Sequence, residues 1–389
     1  MKDLVNLRKT TLFTLYVLIF IFSFSSSIPA YINSSFLTSM TNGNLVGIIY
    51  SVGSVLSLTA LISVPRFLKR YGNYKVTVFI AIAYFLDLLG LAFIPNTYLV
   101  IFCFVISGSM ATIIYFNLDV FLEHNSSDAK TGRIRSVYLT CLNFAWVLSP
   151  WLAGIIIDEF SYRKIYLFVS LLIIPIILII SSSLKNFKDP EYKTFDVLET
   201  IKSVNTDKNI KNIWTSSLLL QIFYSWMIIY TPIYLNQYIG FSWGTIGIIF
   251  SIMLLPFVII EIPIGYIADK ILGEKEILTV GFIIMGIFTA IIPLITSRNF
   301  LLWALILFMT RIGAAMVEVM NDTYFFKKVT DKNLNLINLY RTVTPLAYII
   351  SPIIATIIIL FVPFTSIFYV LGLLMIFSLR YSLAIVDTK

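Results

Sequence analysis

The chain has 389 residues; 59% are hydrophobic, only 12% are charged, and the mean hydropathy is +0.92. Soluble domains are about half apolar and about a quarter charged, so this composition excludes an ordinary soluble domain, and equally a disordered chain. The net charge of +8 comes from basic residues spread thinly through connecting segments, which argues against a nucleic-acid surface and for a polytopic helical membrane protein.

A helix needs about 20 mostly apolar residues to cross a bilayer. Twelve such runs follow in chain order: 10–33, 44–65, 76–94, 98–121, 136–157, 165–184, 213–235, 245–267, 277–296, 300–321, 340–361 and 366–385. They are numbered spans 1 to 12. The segment 185–212 between spans 6 and 7 holds six Lys and five acidic residues. Phe195, Leu198 and Ile201 recur there at helical spacing after Pro190. The pattern predicts a short amphipathic helix on the membrane surface, linking a six-helix half at 1–184 to another at 213–389.

Basic residues set the expected orientation. With the N-terminus in the cytoplasm, 23 Lys and Arg fall on cytoplasmic segments and three on the other side: Arg163, Lys164 and Arg298. Both termini are therefore expected in the cytoplasm, in the plasma or inner membrane of the cell. Span 1 has a basic start, an apolar stretch and small residues ending at Ala30, the outline of a secretory leader. An internal repeat argues for a retained helix instead. Cys103 and Cys141 lie in separate spans and read as small apolar packers, and the single His124 lies in a loop.

The repeat has an offset of 200 to 203. Asn44–Ser51 matches Gly244–Ser251, Pro29–Asn33 matches Pro232–Asn236, and Ser149-Pro150 matches Ser351-Pro352. Tyr138/Tyr340, Thr140/Thr342 and Ala145/Ala347 stay in step. Three matches in register, each on the corresponding span, point to two six-helix bundles in parallel repeat.

That layout resembles the major facilitator superfamily. The strongest local resemblance is the loop after span 8, Gly265-Tyr266-Ile267-Ala268-Asp269-Lys270-Ile271-Leu272-Gly273-Glu274-Lys275. The superfamily's gating loop has a Gly, an Asp-Arg/Lys pair four and five residues later, another Gly and then basic residues. Gly265, Asp269, Lys270 and Lys275 fit, with Gly273 one residue late. The glycine would let two helices approach, and the Asp would accept from a helix N-terminus or pair with a cation. Glu261-Ile262-Pro263-Ile264-Gly265 is also common in drug-efflux branches. The first-half copy, Pro65 to Lys75, keeps Arg70 and Gly72, but Pro65 replaces the first Gly and Lys69 the Asp. The resemblance implies an all-α fold of twelve transmembrane helices, with spans 1, 4, 7 and 10 lining a central cavity.

Charge inside a bilayer is costly, about 2.5 kcal/mol or more per residue, and each instance suggests function. On span 10, Arg311, Glu318 and Asp322 fall on one line down the helix, with the small residues Gly313, Ala314 and Ala315 between them. Arg311 is expected to bind an anionic or polar group or to tune Glu318, and Glu318 to carry a proton. Span 4 offers Asn117, Asp119 and Glu123, with Asp119 a second proton site or a partner for Arg311. Span 7 offers Gln221 and Tyr224, and span 1 offers Ser23 and Ser27. Glu261 is expected in the gate network with Arg341 or Arg135. Asp87, in span 3, receives no role.

No phosphate-cradling GxxxxGK[ST] loop and no HExxH occurs, so neither ATP drive nor a metallopeptidase is indicated. The expected function is secondary transport of a small organic solute by alternating access, with proton-coupled efflux as the leading subclass. Import of a polar or anionic nutrient is the alternative, and a lipid-moving or sensing protein on the same fold is the third. No cofactor or metal is expected. The expected partners are the solute, protons and the bilayer, with the chain acting as a monomer.

Overall fold

The computed structural model describes residues 2–41, 43–125, 131–192, 207–328, 340 and 342–387. The expected amphipathic helix at 195–201 and Arg341 lie outside them. Among the described residues, twelve helices are long and apolar enough to cross a membrane: Thr10–Ser27, Leu45–Tyr71, Asn73–Phe93, Thr97–His124, Val137–Glu159, Tyr162–Ser183, Lys208–Ile239, Trp243–Ala268, Glu274–Leu294, Phe300–Lys328, Val343–Phe361 and Ser366–Leu383. These correspond one to one with spans 1 to 12.

Span 1 is shorter than its apolar run. Its helix ends at Ser27, turns follow, and a separate helix covers Asn33–Met40. Pro29 has no N–H to continue the ladder. The hydroxyls of Ser25, Ser26 and Ser27 turn back onto the carbonyls of Phe22 and Ser23 at 2.6–3.1 Å. Span 8 is also broken, into Trp243–Leu254, Pro256–Ile259 and Glu261–Lys270. Pro256 and Pro263 each remove a donor from the ladder, and the last segment begins at Glu261.

The chain divides into two units, 1–41 with 52–194, and 42–51 with 195–389. The later boundary falls within the charged segment 185–212. Residues 42–51 group with the second unit because Gly47 lies against span 11. A Cβ at Gly47 would stand 2.6 Å from the Pro352 carbonyl oxygen and 3.1 Å from the Tyr230 hydroxyl.

Packing inside each unit follows one scheme. In the first, span 1 packs on spans 4, 5 and 6, and span 3 on spans 4 and 6. In the second, span 7 packs on spans 10, 11 and 12, and span 9 on spans 10 and 12. The sequence repeat marks the same contacts. Ser149 of span 5 donates to Ser27 Oγ at 2.6 Å. In span 11, the Ser351 carbonyl accepts from Trp226 Nε1 at 2.7 Å and the Pro352 carbonyl from the Tyr230 hydroxyl at 3.3 Å. Ser27 and Tyr230 are 203 residues apart, the offset of the Pro29/Pro232 match.

Glycines bring the helices of the second unit into close approach. A Cβ at Gly313 would meet the Gly281 carbonyl oxygen at 2.5 Å, and one at Gly281 would meet the Gly313 oxygen at 2.9 Å. Gly286 and Gly372 face each other in the same way between spans 9 and 12. The small residues beside Arg311 thus include one that seats a neighbouring helix, the close-packing use of glycine in membranes.

A second repeated feature was not visible in the sequence pattern. In the first unit, Asp189, just after span 6, accepts from the Asn73 backbone N–H at 2.7 Å, at the start of span 3. In the second, Asp387, just after span 12, accepts from the Lys275 backbone N–H at 2.9 Å, at the start of span 9. Each carboxylate meets a helix N-terminus whose first N–H groups have no partner within the helix.

Candidate functional site

Span 7 of the second unit is the most enclosed candidate span, with 78% of its apolar window buried. A lipid-facing helix leaves half its side chains to the bilayer, so this span is surrounded by protein. Span 10 follows at 61%. The charged stripe of span 10 faces this enclosed partner.

Arg311 is 1% exposed, and its Nε and Nη1 have no hydrogen-bond partner. Its guanidinium carbon lies 5.1 Å from the Phe223 ring centroid and 5.4 Å from that of Tyr224. Two aromatic faces therefore supply cation–π attraction while two strong donor atoms are left open. Tyr224 donates its hydroxyl to Glu318 Oε2 at 2.6 Å. Its ring also meets Phe257 of span 8 edge-on, with centroids 6.1 Å apart. Phe223 and Phe257 were not singled out from the sequence, because one Phe among 32 carries no signal without its neighbours.

Burial of the stripe falls in steps. Arg311 is buried, Glu318 half-buried and Asp322 exposed. Helical rise puts Glu318 about 10 Å from Arg311 along the axis and Asp322 about 6 Å further. Asp322 Oδ1 accepts from the Tyr340 hydroxyl at 2.7 Å. Next to it, buried Asn321 accepts from Ser216 of span 7 at 2.7 Å through Oδ1, while its Nδ2 is unpartnered.

Glu261 belongs with this stripe. It interacts electrostatically with Glu318 and Asp322 and with the Tyr224 hydroxyl. Glu261 occupies the first turn of the last segment of span 8, just after the break at Ile260. Of its expected gate partners, Arg341 is outside the described residues, and nothing is described of the Arg135 side chain. Gln221 is half-buried one turn before Tyr224 on span 7.

In the first unit, Asn117 is fully buried and both atoms of its side-chain amide are unpartnered. Its backbone carbonyl accepts from Asn73 Nδ2 at 3.0 Å. Asp119 is half-buried and acts electrostatically on Tyr115, whose hydroxyl lies 2.5 Å from Ser26 Oγ. Ser27 is used in helix packing. Asp87 faces Cys103 of span 4, and its Oδ2 is unpartnered.

The loop after span 8 divides into parts with different surroundings. A Cβ at Gly265 would meet nothing within 4 Å among the described residues. Among the described residues, then, no helix makes a close approach at this glycine. Gly273 is crowded instead: a Cβ there would stand 2.5 Å from the Asp387 carboxylate carbon. Its own N–H donates to Glu276 Oε2 at 3.1 Å. Glu274 beside it is 1% exposed and pairs with Lys327 at 2.8 Å. Asp269 and Lys270 close the span 8 helix; nothing is described of their side chains.

Among the described residues there is no group of three or more His, Cys, Asp or Glu placed to hold a metal ion. The cluster offers a stacked cation with free donors, a tyrosine bonded to a carboxylate, and two further carboxylates toward solvent. Such a set can bind a polar or anionic group and can take up and release a proton.

Comparison with known proteins places this arrangement in a family. The profile described as Major Facilitator Superfamily matches residues 10–244 and 213–386. No curated protein sequence matches the chain. A crystal structure of a mutant form of the nucleoside transporter NupG superposes with a TM-score of 0.76, covering 96% of this chain and 99% of that one at 11% identity. With twelve membrane-spanning helices and a family match over nearly its whole length, the chain belongs to the major facilitator superfamily and is a transporter, not an enzyme.

Proposed function

We propose that this secondary transporter couples movement of a small organic solute to protons, with Arg311 as the solute anchor and Glu318 as the proton carrier. The observation behind this reading is the 2.6 Å bond from Tyr224 to Glu318 Oε2 beside an arginine whose Nε and Nη1 have no partner. A buried guanidinium with open donors suits a carboxylate, phosphate or carbonyl group on the solute. The Phe223 and Tyr224 rings hold the guanidinium plane in place. Glu318 alternates between a charged form stabilised by the tyrosine hydroxyl and a protonated form suited to closure of the site against water. Asp322 and Glu261 extend the acidic path from Glu318, since Asp322 is exposed and acts on Glu318, and Glu261 feels both of them.

A polar or anionic solute is the class this chemistry favours, because the open donors call for a hydrogen-bonding ligand, and import of such a solute is the first reading. Efflux of amphipathic compounds is the second reading. It is favoured by the Phe223, Tyr224 and Phe257 rings, which can wall an apolar body. The third reading, a lipid-moving or sensing protein, gains no support from the Arg311 cluster. In either direction transport would proceed by alternating access. The distribution of Lys and Arg supports cytoplasmic termini, and the proposed location is the cell's plasma or inner membrane. Each half has its own packed framework, spans 1 and 3 on spans 4 to 6 and spans 7 and 9 on spans 10 to 12, which supports a monomer.

The test is purified protein in liposomes, given a panel of nucleosides, carboxylates and amphipathic cations with and without an imposed pH gradient. Accumulation of a polar or anionic solute that depends on the gradient supports the proposal. Flux of equal size without the gradient overturns proton coupling.

A further inference from the structure

The first unit carries a cavity remote in sequence from the Arg311 cluster. A groove of about 600 Å³ runs between spans 2, 3 and 4, lined by Ala60, Ser63, Phe67, Phe79, Ile113 and, at its end, Lys75. Apart from Lys75 its wall is almost wholly apolar. Phe67 and Phe79 are 54% and 71% exposed within membrane-spanning helices, so the groove opens toward lipid. From Ala60 to Tyr71 it follows span 2 for about 16 Å, close to half the ~30 Å hydrocarbon thickness and so to one acyl chain.

One end of this groove is strongly basic. Lys75 lines the groove, Arg66, Lys69 and Arg70 are exposed on the same connecting region between spans 2 and 3, and Arg70 lies over the ring of the lining residue Tyr71 with its guanidinium carbon 5.1 Å from the centroid. No acidic residue occurs between positions 60 and 80. This is the loop where Lys69 replaces the family's Asp, leaving its basic residues without the usual internal carboxylate. The carboxylate that does reach the loop, Asp189, is engaged by the Asn73 N–H at 2.7 Å and the Tyr192 hydroxyl at 2.6 Å. Burial, followed by the Asp189 carboxylate, pushes the Tyr192 phenol up from its ordinary range, so it stays a donor.

We infer that this groove is a binding site for an anionic phospholipid, with one acyl chain along spans 2 and 3 and the phosphate held by Lys75, with Arg70 beside Tyr71 adding positive charge. Charge complementarity selects the headgroup, and the length of the apolar groove selects a membrane lipid over a soluble anion. A resident lipid here would fill the furrow between the spans and neutralise the loop. It is separate from the solute site and independent of the proton-coupling proposal.

The test uses the full-length protein exchanged into an equal mixture of phosphatidylglycerol and phosphatidylcholine. Retained lipid is counted by native mass spectrometry, and each variant is first matched to wild type by thermal melting. Wild type should retain phosphatidylglycerol preferentially. Lys75→Gln should lower that preference about five-fold, the effect of one basic residue at a lipid surface. Ala60→Trp, which fills the groove, should lower retention of phosphatidylglycerol while leaving all four basic residues in place. Excess inorganic phosphate should not displace the lipid. An unchanged preference in Lys75→Gln, unchanged retention in Ala60→Trp, or displacement by phosphate alone would overturn the site.

Discussion

The Tyr224 hydroxyl donates to Glu318 Oε2 at 2.6 Å while the same tyrosine ring lies 5.4 Å from the Arg311 guanidinium carbon. One side chain of span 7 thus touches both span 10 charges proposed to carry function. Protonation of Glu318 removes the charge that the hydroxyl bond favours, which can loosen the ring that helps to seat Arg311. The proposed coupling between proton and solute has its shortest physical link here.

Tyr224→Phe separates the two contacts. It keeps the ring beside Arg311 and removes the donor to Glu318. A hydrogen bond to a charged group is worth about 1.5–3 kcal/mol. Gradient-driven accumulation should therefore fall about ten-fold or more, with solute affinity nearly unchanged. Parallel measurement of binding in detergent and uptake in liposomes checks this; equal losses in both would mean that the hydroxyl serves solute binding instead.

Arg311 offers charge, planarity and open donors together. Lysine keeps the charge but loses the fork and most of the stacking. Solute affinity should fall about ten-fold or more in Arg311→Ala, the effect of about 1.4 kcal/mol, and only part of it should return in Arg311→Lys. Full recovery in the lysine variant would show that Arg311 acts as a point charge alone.

Two glycines on neighbouring spans should respond oppositely to a methyl group. Gly313→Ala places a Cβ 2.5 Å from the Gly281 backbone oxygen, a forced contact that should cost about 1–3 kcal/mol and lower the melting temperature in detergent. Gly265→Ala meets nothing within 4 Å among the described residues and, inside the helix Glu261–Lys270, should leave the melting temperature unchanged or raise it slightly, since Ala is favoured over Gly in a helix by about 0.5–1 kcal/mol. A clear loss at Gly265 and none at Gly313 would reverse the packing account.

The two carboxylates after spans 6 and 12 should behave as helix caps. Asp189→Ala and Asp387→Ala each remove an acceptor from a helix N-terminus, worth about 0.5–2 kcal/mol. Amide exchange should speed up at the start of span 3 in the first variant and of span 9 in the second. Exchange that rises equally at both places in each variant would show general loosening instead of local capping.

Most of the fold is legible in hydropathy, because a bilayer demands about 20 apolar residues for each crossing. The ends of spans 1 and 8 are less so. Their prolines and serines stop or break a helix without lowering hydropathy, so the apolar runs overshoot at Pro29 and conceal the break before Glu261. The Ser-Pro repeat announced a real interhelical contact, since Ser149 and Ser351 both sit where spans 5 and 11 meet spans 1 and 7. The charged stripe was visible from helical spacing alone. Its surroundings were not: the pairing of Glu318 with Tyr224 is fixed by how spans 7 and 10 pack. Asp189 and Asp387 were hidden for the same reason, each acting on a helix more than a hundred residues away.

The central claim is that Glu318 carries the coupled proton, and the most direct measurement is gradient-driven uptake by Glu318→Gln in liposomes beside solute counterflow in the same vesicles. Glutamine keeps the size and can still accept from Tyr224, but it cannot exchange a proton. The account predicts that the variant loses stimulation by an imposed pH gradient while retaining counterflow. Gradient-driven accumulation equal to wild type would contradict it.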